Sequence, residues 1–119
     1  MTFNKFGAKR ASLDGRSFAS QGERDCYSLL KLQEKAGEIT LVSCQETVYL
    51  TLARIAYIAD FRIRDLKTQE DVWIEYKGFE TPEWRLKKRL WKFYGPGKLR
   101  VYKGSGLRMI VVEEIIPDV

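Results

Sequence analysis

The chain has 119 residues, of which 45% are hydrophobic, 13% aromatic and 31% charged, with a net charge of +5, a composition typical of one folded soluble domain. No stretch approaches the roughly 18 consecutive apolar residues of a membrane span and no export signal follows the first residues, so we expect a cytoplasmic protein. The chain has no histidine, which excludes Ser-His-Asp triads, Cys-His pairs and zinc sites built from imidazole.

The chain begins with a polar, basic segment of about 19 residues. Gly7 and Asp14-Gly15 are turn signals within it, which predicts an arm or a loose turn. Ser20 and Glu23 then have the spacing of a helix capping box. Apolar residues follow at helical spacing until Gly37, which predicts a first helix over residues 21–36.

Two strands are predicted after this helix. Residues 39–50 are rich in Val, Ile, Thr and Tyr, which favours a strand. Residues 54–65 alternate between two sets of side chains, a pattern typical of a half-buried strand. The side chains predicted to share its inner face are Ile55, Tyr57, Ala59, Phe61 and Ile63.

A third strand completes a meander. The polar stretch from Asp65 to Asp71 predicts a turn centred near Thr68, and residues 72–77 read as a strand that ends at Gly78.

A second helix is predicted with Thr81 as its N-cap and Pro82 in its first turn, and it ends at Gly95. On a helical wheel of about 100° per residue one half is apolar and the other basic, so we expect one half to pack and the other to carry charge. The apolar half holds Trp84, Leu86, Leu90, Trp91, Phe93 and Tyr94, and the basic half holds Arg85, Lys88, Arg89 and Lys92.

Residues 99–103 and 107–113 read as two closing strands around the turn Gly104-Ser105-Gly106. The predicted fold class is therefore α/β, with a mixed central sheet of about five strands flanked by two helices in the order α-β-β-β-α-β-β. We expect a single domain over residues 1–119, with a basic amino-terminal arm at about residues 1–19.

Without histidine, hydrolytic chemistry has to use carboxylates, lysine or a hard cation held by oxygen. Cys26 and Cys44 are predicted to be free thiols rather than a disulfide, because the chain shows no export signal.

The most informative spacing joins Asp60 to Glu75 and Lys77. Residues two apart on a strand share a face, and a hairpin around Thr68 places position 60 opposite about position 76. Two carboxylates and one ammonium on one patch are suited to a Mg²⁺ site in which the lysine assists an attacking water. The alternative is structural, with Asp60 paired to a neighbouring arginine and Glu75 paired to Lys77 across the surface.

Two further observations bear on this site. Glu23 is either only a capping-box acid, or also a third carboxylate that reaches the cluster from the first helix. A second acid-x-Lys sequence, Asp65-Leu66-Lys67, falls in the predicted turn, which shows how weak the three-residue pattern is by itself.

The charge is unevenly distributed. Residues 1–16 carry a net +3, residues 17–79 a net −2, residues 80–108 a net +7 and the last eleven residues −3. Basic flanks around an acidic centre suit a protein that binds a polyanion and gathers carboxylates around a metal, although a solvated basic surface is the simpler alternative. The candidate phosphate contacts are Lys5, Lys9, Arg10 and Arg16 in the arm and Arg85, Lys88, Arg89 and Lys92 on the second helix.

These residues resemble the PD-(D/E)XK nuclease superfamily, whose core is α-β-β-β-α-β with an acid on the second strand and (D/E)-x-K on the third. Glu75-Tyr76-Lys77 fits that pattern, and Ala59-Asp60 stands where Pro-Asp is usual. The opening Asn4-Lys5-Phe6-Gly7-Ala8-Lys9, with Asp14-Gly15 and Phe18-Ala19-Ser20 before Glu23, is similar to a family of small phage proteins. The chain also resembles the phage endonuclease I family of junction-resolving enzymes.

The resemblance implies a restriction-endonuclease-like core and a Mg²⁺-dependent endonuclease, with Mn²⁺ as a substitute, that hydrolyses phosphodiester bonds in branched or recombining phage DNA. Asp60 and Glu75 would bind the metal, Glu23 would join them, and Lys77 would assist the nucleophile. It also implies a homodimer, no organic cofactor, and a cytoplasmic phage or bacterial protein. The rival hypothesis is a catalytically inactive nucleic-acid-binding module or recombination accessory factor of the same fold.

Overall fold

The structure is a computed structural model that describes residues 11–118. It contains two α-helices, seven strands and a short 3-10 turn. In chain order these are β1 Ala11–Leu13, β2 Arg16–Phe18, α1 Gln21–Lys35, β3 Ile39–Tyr49, β4 Ala56–Asp65, β5 Glu70–Tyr76, α2 Pro82–Tyr94, β6 Lys98–Lys103, the 3-10 turn Gly106–Arg108 and β7 Ile110–Ile115.

Five strands form one mixed sheet in the order β3-β4-β5-β6-β7. β5 and β6 are parallel, and the other neighbouring pairs are antiparallel. The predicted α/β class, the mixed five-stranded sheet and the two helices are therefore confirmed. The order predicted from α1 onward, α-β-β-β-α-β-β, is also present.

The amino-terminal segment contains a structure that the sequence analysis missed. Residues 11–18 form the hairpin β1-β2, with Asp14 (φ 53°) and Gly15 (φ 74°) in its turn. Two consecutive positive φ angles define the tight turn that matches the twist of hairpin strands. Phe18 anchors the hairpin because its ring packs on Tyr27 at 5.1 Å. The turn predicted at Asp14-Gly15 is thus confirmed, whereas the expected arm is wrong for residues 11–18. Residues 1–10 lie outside the described part of the chain.

Two apolar clusters hold the sheet to its helices. One cluster joins α1 to the sheet through Cys26, Tyr27 and Leu30, and the other joins α2 to the sheet through Trp84 and Trp91. Neighbouring residues of β5 divide between them, since Val72 and Ile74 belong to the α1 cluster and Trp73 to the α2 cluster. This division follows from the alternation of side chains along a strand.

Helix α2 buries a narrower face than expected. Trp84 and Trp91 are buried, but Leu86, Phe93 and Tyr94 are exposed. The two tryptophans are seven residues apart and so lie almost at the same angle, at one edge of the apolar half-circle. Only that edge faces the sheet, so the prediction that Phe93 and Tyr94 belong to the core is wrong.

No helix within residues 11–118 has the length and apolar character needed to cross a membrane. Cys26 and Cys44 are free thiols, as predicted.

Candidate active site

The candidate site lies at one end of the sheet, where β4 and β5 meet the first turn of α1. Near their far ends these strands pair regularly, with Phe61 opposite Ile74 and Asp65 opposite Glu70. Continued by one residue, this register brings Asp60 to the level of Glu75. The side chain of Asp60 confirms the approach, because its Oδ2 accepts a hydrogen bond from the Tyr76 N–H at 2.8 Å.

Asp60 lies where the packing of β4 changes sides. Tyr57 and Ala59, which precede it, belong to the α2 cluster, whereas Phe61 and Ile63, which follow it, belong to the α1 cluster. Simple alternation predicts one inner face for all four residues, and that prediction is wrong at this point. The change of side leaves Asp60 beside the end of β5. There its carboxylate accepts the Tyr76 N–H, which would otherwise need a backbone carbonyl as its partner.

Glu75 is almost fully buried and is held by two partners. Its Oε1 accepts a hydrogen bond from the Tyr57 hydroxyl at 2.6 Å, and its Oε2 lies 3.2 Å from the Lys77 Nζ. Lys77 remains partly accessible, with 29% of its side chain exposed. Its ammonium also lies 5.0 Å from the centre of the Trp84 ring, a cation–π distance. The ion pair between Glu75 and Lys77 that the structural alternative also predicts is therefore formed, and the lysine reaches solvent.

Glu23 is buried at the start of α1, and it does more than cap the helix. Ser20 accepts the Glu23 N–H at 3.1 Å, as a capping box requires. The Glu23 carboxylate accepts bonds from the Ala19 N–H at 3.2 Å and from the Gln45 side-chain amide at 2.9 Å. Since Gln45 belongs to β3, Glu23 connects the helix to the sheet at the level of the site.

Electrostatics show that the three carboxylates are close enough to affect each other. Burial raises the pKa of Asp60 well above its usual range, the carboxylates of Glu75 and Glu23 raise it further, and Lys77 only partly compensates. Burial also raises the pKa of Glu75, although Lys77 and the Tyr57 hydroxyl oppose this. Crowding of carboxylates in a desolvated place is unfavourable for folding unless donors or a cation compensate for it.

Gly22 allows α1 to approach β5. A β-carbon at this position would lie 2.0 Å from the Tyr76 hydroxyl oxygen, far inside contact distance. Tyr76 itself donates a hydrogen bond to the Gly104 carbonyl at 2.8 Å. A glycine directly before Glu23 therefore lets the first turn of the helix fit against the residue between Glu75 and Lys77.

The second acid-x-Lys sequence has a different role. Asp65 lies at the opposite end of β4, where its Oδ1 accepts the backbone N–H groups of Lys67 at 2.9 Å and Thr68 at 3.2 Å. This is the usual side-chain stabilisation of a tight turn. The structure thus separates two copies of the acid-x-Lys pattern, since Glu75 is buried next to Asp60, whereas Asp65 stabilises a turn at the surface.

Oxygen-rich chemistry at this site suits a hard divalent cation such as Mg²⁺. As the side chains are arranged, each carboxylate is engaged by donors of the protein. Within residues 11–118, no three Asp, Glu or Cys side chains are already grouped as a metal site. The donor types therefore fit the ion, whereas their present arrangement is not that of a formed coordination sphere.

Two residues of the site have no signal in the sequence. Tyr57 is buried three positions before Asp60 and reaches Glu75 only because β4 changes sides between them. Gln45 lies between the β3 residues paired with Ala59 and Phe61, and it adopts a positive φ of 57°. Neither residue belongs to a recognisable spacing.

The basic residues of α2 are divided between ion pairs and open surface. Lys88 lies 3.1 Å from Glu113 and 3.5 Å from Glu80, and Arg85 lies 3.6 Å from Glu80. Arg89 and Lys92 are exposed and make no ion pair with another residue of the described region. Two of the four predicted phosphate contacts thus have competing carboxylates. Of the contacts predicted in the amino-terminal segment, Arg16 is exposed on β2 with its guanidinium 5.9 Å from the centre of the Tyr27 ring. Lys5, Lys9 and Arg10 lie outside the described residues.

Fold and site together define an α/β protein with a cluster of acids and one lysine at the end of a mixed sheet. Residues 3–104 match the model of a family described as "Protein of unknown function (DUF1064)", and the chain belongs to this family. The match includes every residue of the cluster and ends before β7. Neither the comparison with curated proteins nor that with solved structures returns a match.

Proposed function

We propose that this protein is a Mg²⁺-dependent endonuclease with a restriction-endonuclease-like core that hydrolyses phosphodiester bonds in branched or recombining DNA. The observation that carries the proposal is that Glu23, Asp60, Glu75 and Lys77, from separate parts of the chain, lie close enough to affect one another electrostatically. Such crowding is unfavourable for a structural cluster, but it is useful where a cation or a phosphate has to be handled.

Asp60 and Glu75 would hold the ion, and Glu23 would complete the acidic set from α1. Mn²⁺ would substitute, because it also prefers carboxylate oxygens. When bound, the ion would supply Lewis-acid polarisation of the scissile phosphate and a lowered pKa for an attacking water. Its charge would also relieve the repulsion among the three carboxylates.

Lys77 has the position expected of a group that acts on the substrate. Its ammonium lies next to Glu75 and still reaches solvent. There it would orient the attacking water and offset the negative charge that develops on the phosphate. Tyr57, by holding the other oxygen of Glu75, would keep that carboxylate fixed while Lys77 moves towards substrate.

Exposed cations would bind the DNA backbone. Arg89 and Lys92 are open to solvent on α2, whereas Arg85 and Lys88 would exchange their carboxylate partners for phosphates. The same proposal includes a homodimer, whose two sites would act on opposing strands of one branched DNA.

The central test compares Lys77→Ala with Lys67→Ala, two substitutions in the same acid-x-Lys pattern at opposite ends of the sheet. We expect Lys77→Ala to lower cleavage of a four-way DNA junction about 1,000-fold in Mg²⁺ with little change in DNA affinity. Lys67→Ala should cut like the wild type. Cleavage that survives Lys77→Ala would contradict this proposal, and DNA binding without any cleavage by the wild type would favour the inactive module.

Metal binding has its own readout. Mg²⁺ should raise the melting temperature of the wild-type protein saturably, since an ion that binds the folded state stabilises it. Asp60→Asn and Glu75→Gln should each remove most of this shift. An equal shift in the wild type and both variants would exclude Asp60 and Glu75 as ligands.

A further inference from the structure

Two loops lie at the same end of the sheet as the candidate site. β5 and β6 are parallel, so the loop after β6 leaves the sheet at the end where Lys77 lies. β4 is antiparallel to β5, so the β3–β4 loop is found at that end as well. The two loops flank β4 and β5, the strands that carry Asp60 and Glu75.

Each loop presents a leucine that is completely exposed. Leu52 in the β3–β4 loop and Leu107 in the β6–β7 loop have relative exposures of 105% and 107%, the two highest among the exposed large hydrophobic residues of the described region. A single exposed apolar side chain is ordinary. Here, however, both of the extreme cases fall on loops beside one site.

The β3–β4 loop is held in a defined shape. The Thr51 hydroxyl accepts the Ala53 N–H at 3.1 Å, and the Thr51 carbonyl accepts the Arg54 N–H at 2.8 Å. Arg54 lies with its guanidinium 4.3 Å from the centre of the Tyr49 ring, which fixes the cation beside Leu52. The exposed leucine therefore stands on an ordered turn.

The β6–β7 loop is tied to the site itself. The Gly104 carbonyl accepts the Tyr76 hydroxyl, and the Gly106 N–H donates to Asp25 at 3.0 Å. Tyr76 lies between Glu75 and Lys77, and Asp25 follows Glu23 by two residues. Leu107 is thus positioned by the same elements that position the acids.

The charge of both loops favours a polyanion. Residues 50–56 contain one basic and no acidic residue, and residues 103–109 contain two basic residues, Lys103 and Arg108, and no acidic one. Because the sheet order is β3-β4-β5-β6-β7, β5 lies between the strands from which the two loops extend. An apolar side chain next to a cation is the combination that proteins insert between bases while they hold the backbone.

We propose that Leu52 and Leu107 are wedges that enter base steps on either side of the scissile phosphate, and that the preferred substrate is nucleic acid whose bases are already unstacked, as at a branch. This inference rests on the proposed function, because it requires DNA at the site. Insertion is favoured at a branch, since the unstacking that a wedge must otherwise cause has already occurred.

The test compares two DNA probes of equal length, a four-way junction and a linear duplex, with 2-aminopurine next to the branch position, in EDTA so that no strand is cut. We expect the full-length wild type to bind the junction more tightly and to increase 2-aminopurine fluorescence there. Leu52→Ser/Leu107→Ser should lower the junction-to-duplex affinity ratio about tenfold and keep the duplex affinity. Leu32→Ser is the control, because Leu32 is 65% exposed on α1 outside both loops and is not part of the site.

The outcomes separate the two proposals. A double variant that keeps the junction preference and the fluorescence increase would overturn the wedge inference and leave the nuclease proposal intact, as would an equal loss of affinity for both probes. A wild type that binds neither probe would overturn both. Circular dichroism of each variant confirms that it is folded, which is expected for substitutions at fully exposed positions.

Discussion

Two charged clusters lie on β4 and β5, and they differ in how their charges are balanced. In one, Arg62 contacts Asp71 and also Glu46 at 3.1 Å, and its guanidinium lies 4.8 Å from the Trp73 ring centre. In the other, three acids lie near one ammonium, that of Lys77, which pairs with Glu75 at 3.2 Å. Only two positions along β4 separate Arg62 from Asp60, so the same strand carries both arrangements.

The pKa values move in opposite directions in the two clusters. The Arg62 guanidinium lowers the pKa of Asp71. Although burial raises it, the pKa of Glu46 is lowered on balance by hydrogen bonds from Trp73, Ser43 and Arg62. The pKa values of Asp60 and Glu75 are raised. A balanced cluster supports the fold, whereas a crowded one is retained at a cost in stability, which is the usual sign of a functional site.

The largest expected effect comes from removing the close approach that creates the crowding. Gly22→Ala places a methyl group against the Tyr76 ring, so we expect a loss of about 3 kcal/mol in the free energy of unfolding, measured with urea. Tyr76→Leu should restore part of this loss in the double variant, because it removes the obstructing ring. If the loss in the double variant instead equals the sum of the losses in the two single variants, the contact between residue 22 and Tyr76 does not limit the approach of α1.

A smaller loss is expected when the balanced cluster is broken. Arg62→Met leaves Glu46 and Asp71 without their shared partner, and we expect the free energy of unfolding to fall by about 2 kcal/mol. Arg64→Met is the matched control, since Arg64 contacts the same Asp71 from a more exposed position. We expect it to lower the free energy of unfolding by less than about 0.5 kcal/mol. Equal effects of the two variants would contradict the central role of Arg62.

The smallest effect has the opposite sign. Asp60→Asn keeps an oxygen for the Tyr76 N–H but removes a charge, so we expect it to stabilise the metal-free protein by about 1 kcal/mol at pH 7. The pKa of Asp60 is higher in the folded than in the unfolded state, so the folded state binds more protons between the two values. Wild-type stability therefore falls as the pH rises through that interval. The advantage of Asp60→Asn, measured in EDTA, should grow as the pH rises from the usual pKa of an aspartic acid towards the raised pKa of Asp60. A variant that is less stable at pH 8 would mean that the ionised Asp60 supports the fold.

Much of the fold follows from local signals in the sequence. Helix α2 begins after Thr81 and ends before Gly95, and the turn between β4 and β5 spans the predicted polar residues. Capping residues, proline, glycine and turn sequences act over a few positions, so they can be recognised without knowledge of distant contacts. The spacing of Asp60, Glu75 and Lys77 is of the same kind, because it depends on one hairpin.

The remaining features depend on residues far apart in the chain. Tyr57 reaches Glu75 because β4 passes from one cluster to the other at Asp60, and Gln45 reaches Glu23 because β3 and α1 meet there. The exposure of Phe93 was decided by two tryptophans that fill the space above the sheet. Hydrophobic periodicity names the side chains that are able to pack, and the packing partners then determine which of them do.

The sequence by itself thus determined the elements from α1 onward, their order, and the spacing of Asp60, Glu75 and Lys77, because each depends on neighbours along the chain or on a single hairpin. The tertiary structure decided which of the two acid-x-Lys sequences is buried at the acidic cluster, and which loops lie beside it. Those outcomes depend on the direction and register of strands that come together only on folding. Electrostatic interactions depend on the distance between charges in space, and separation along the chain does not reveal that distance.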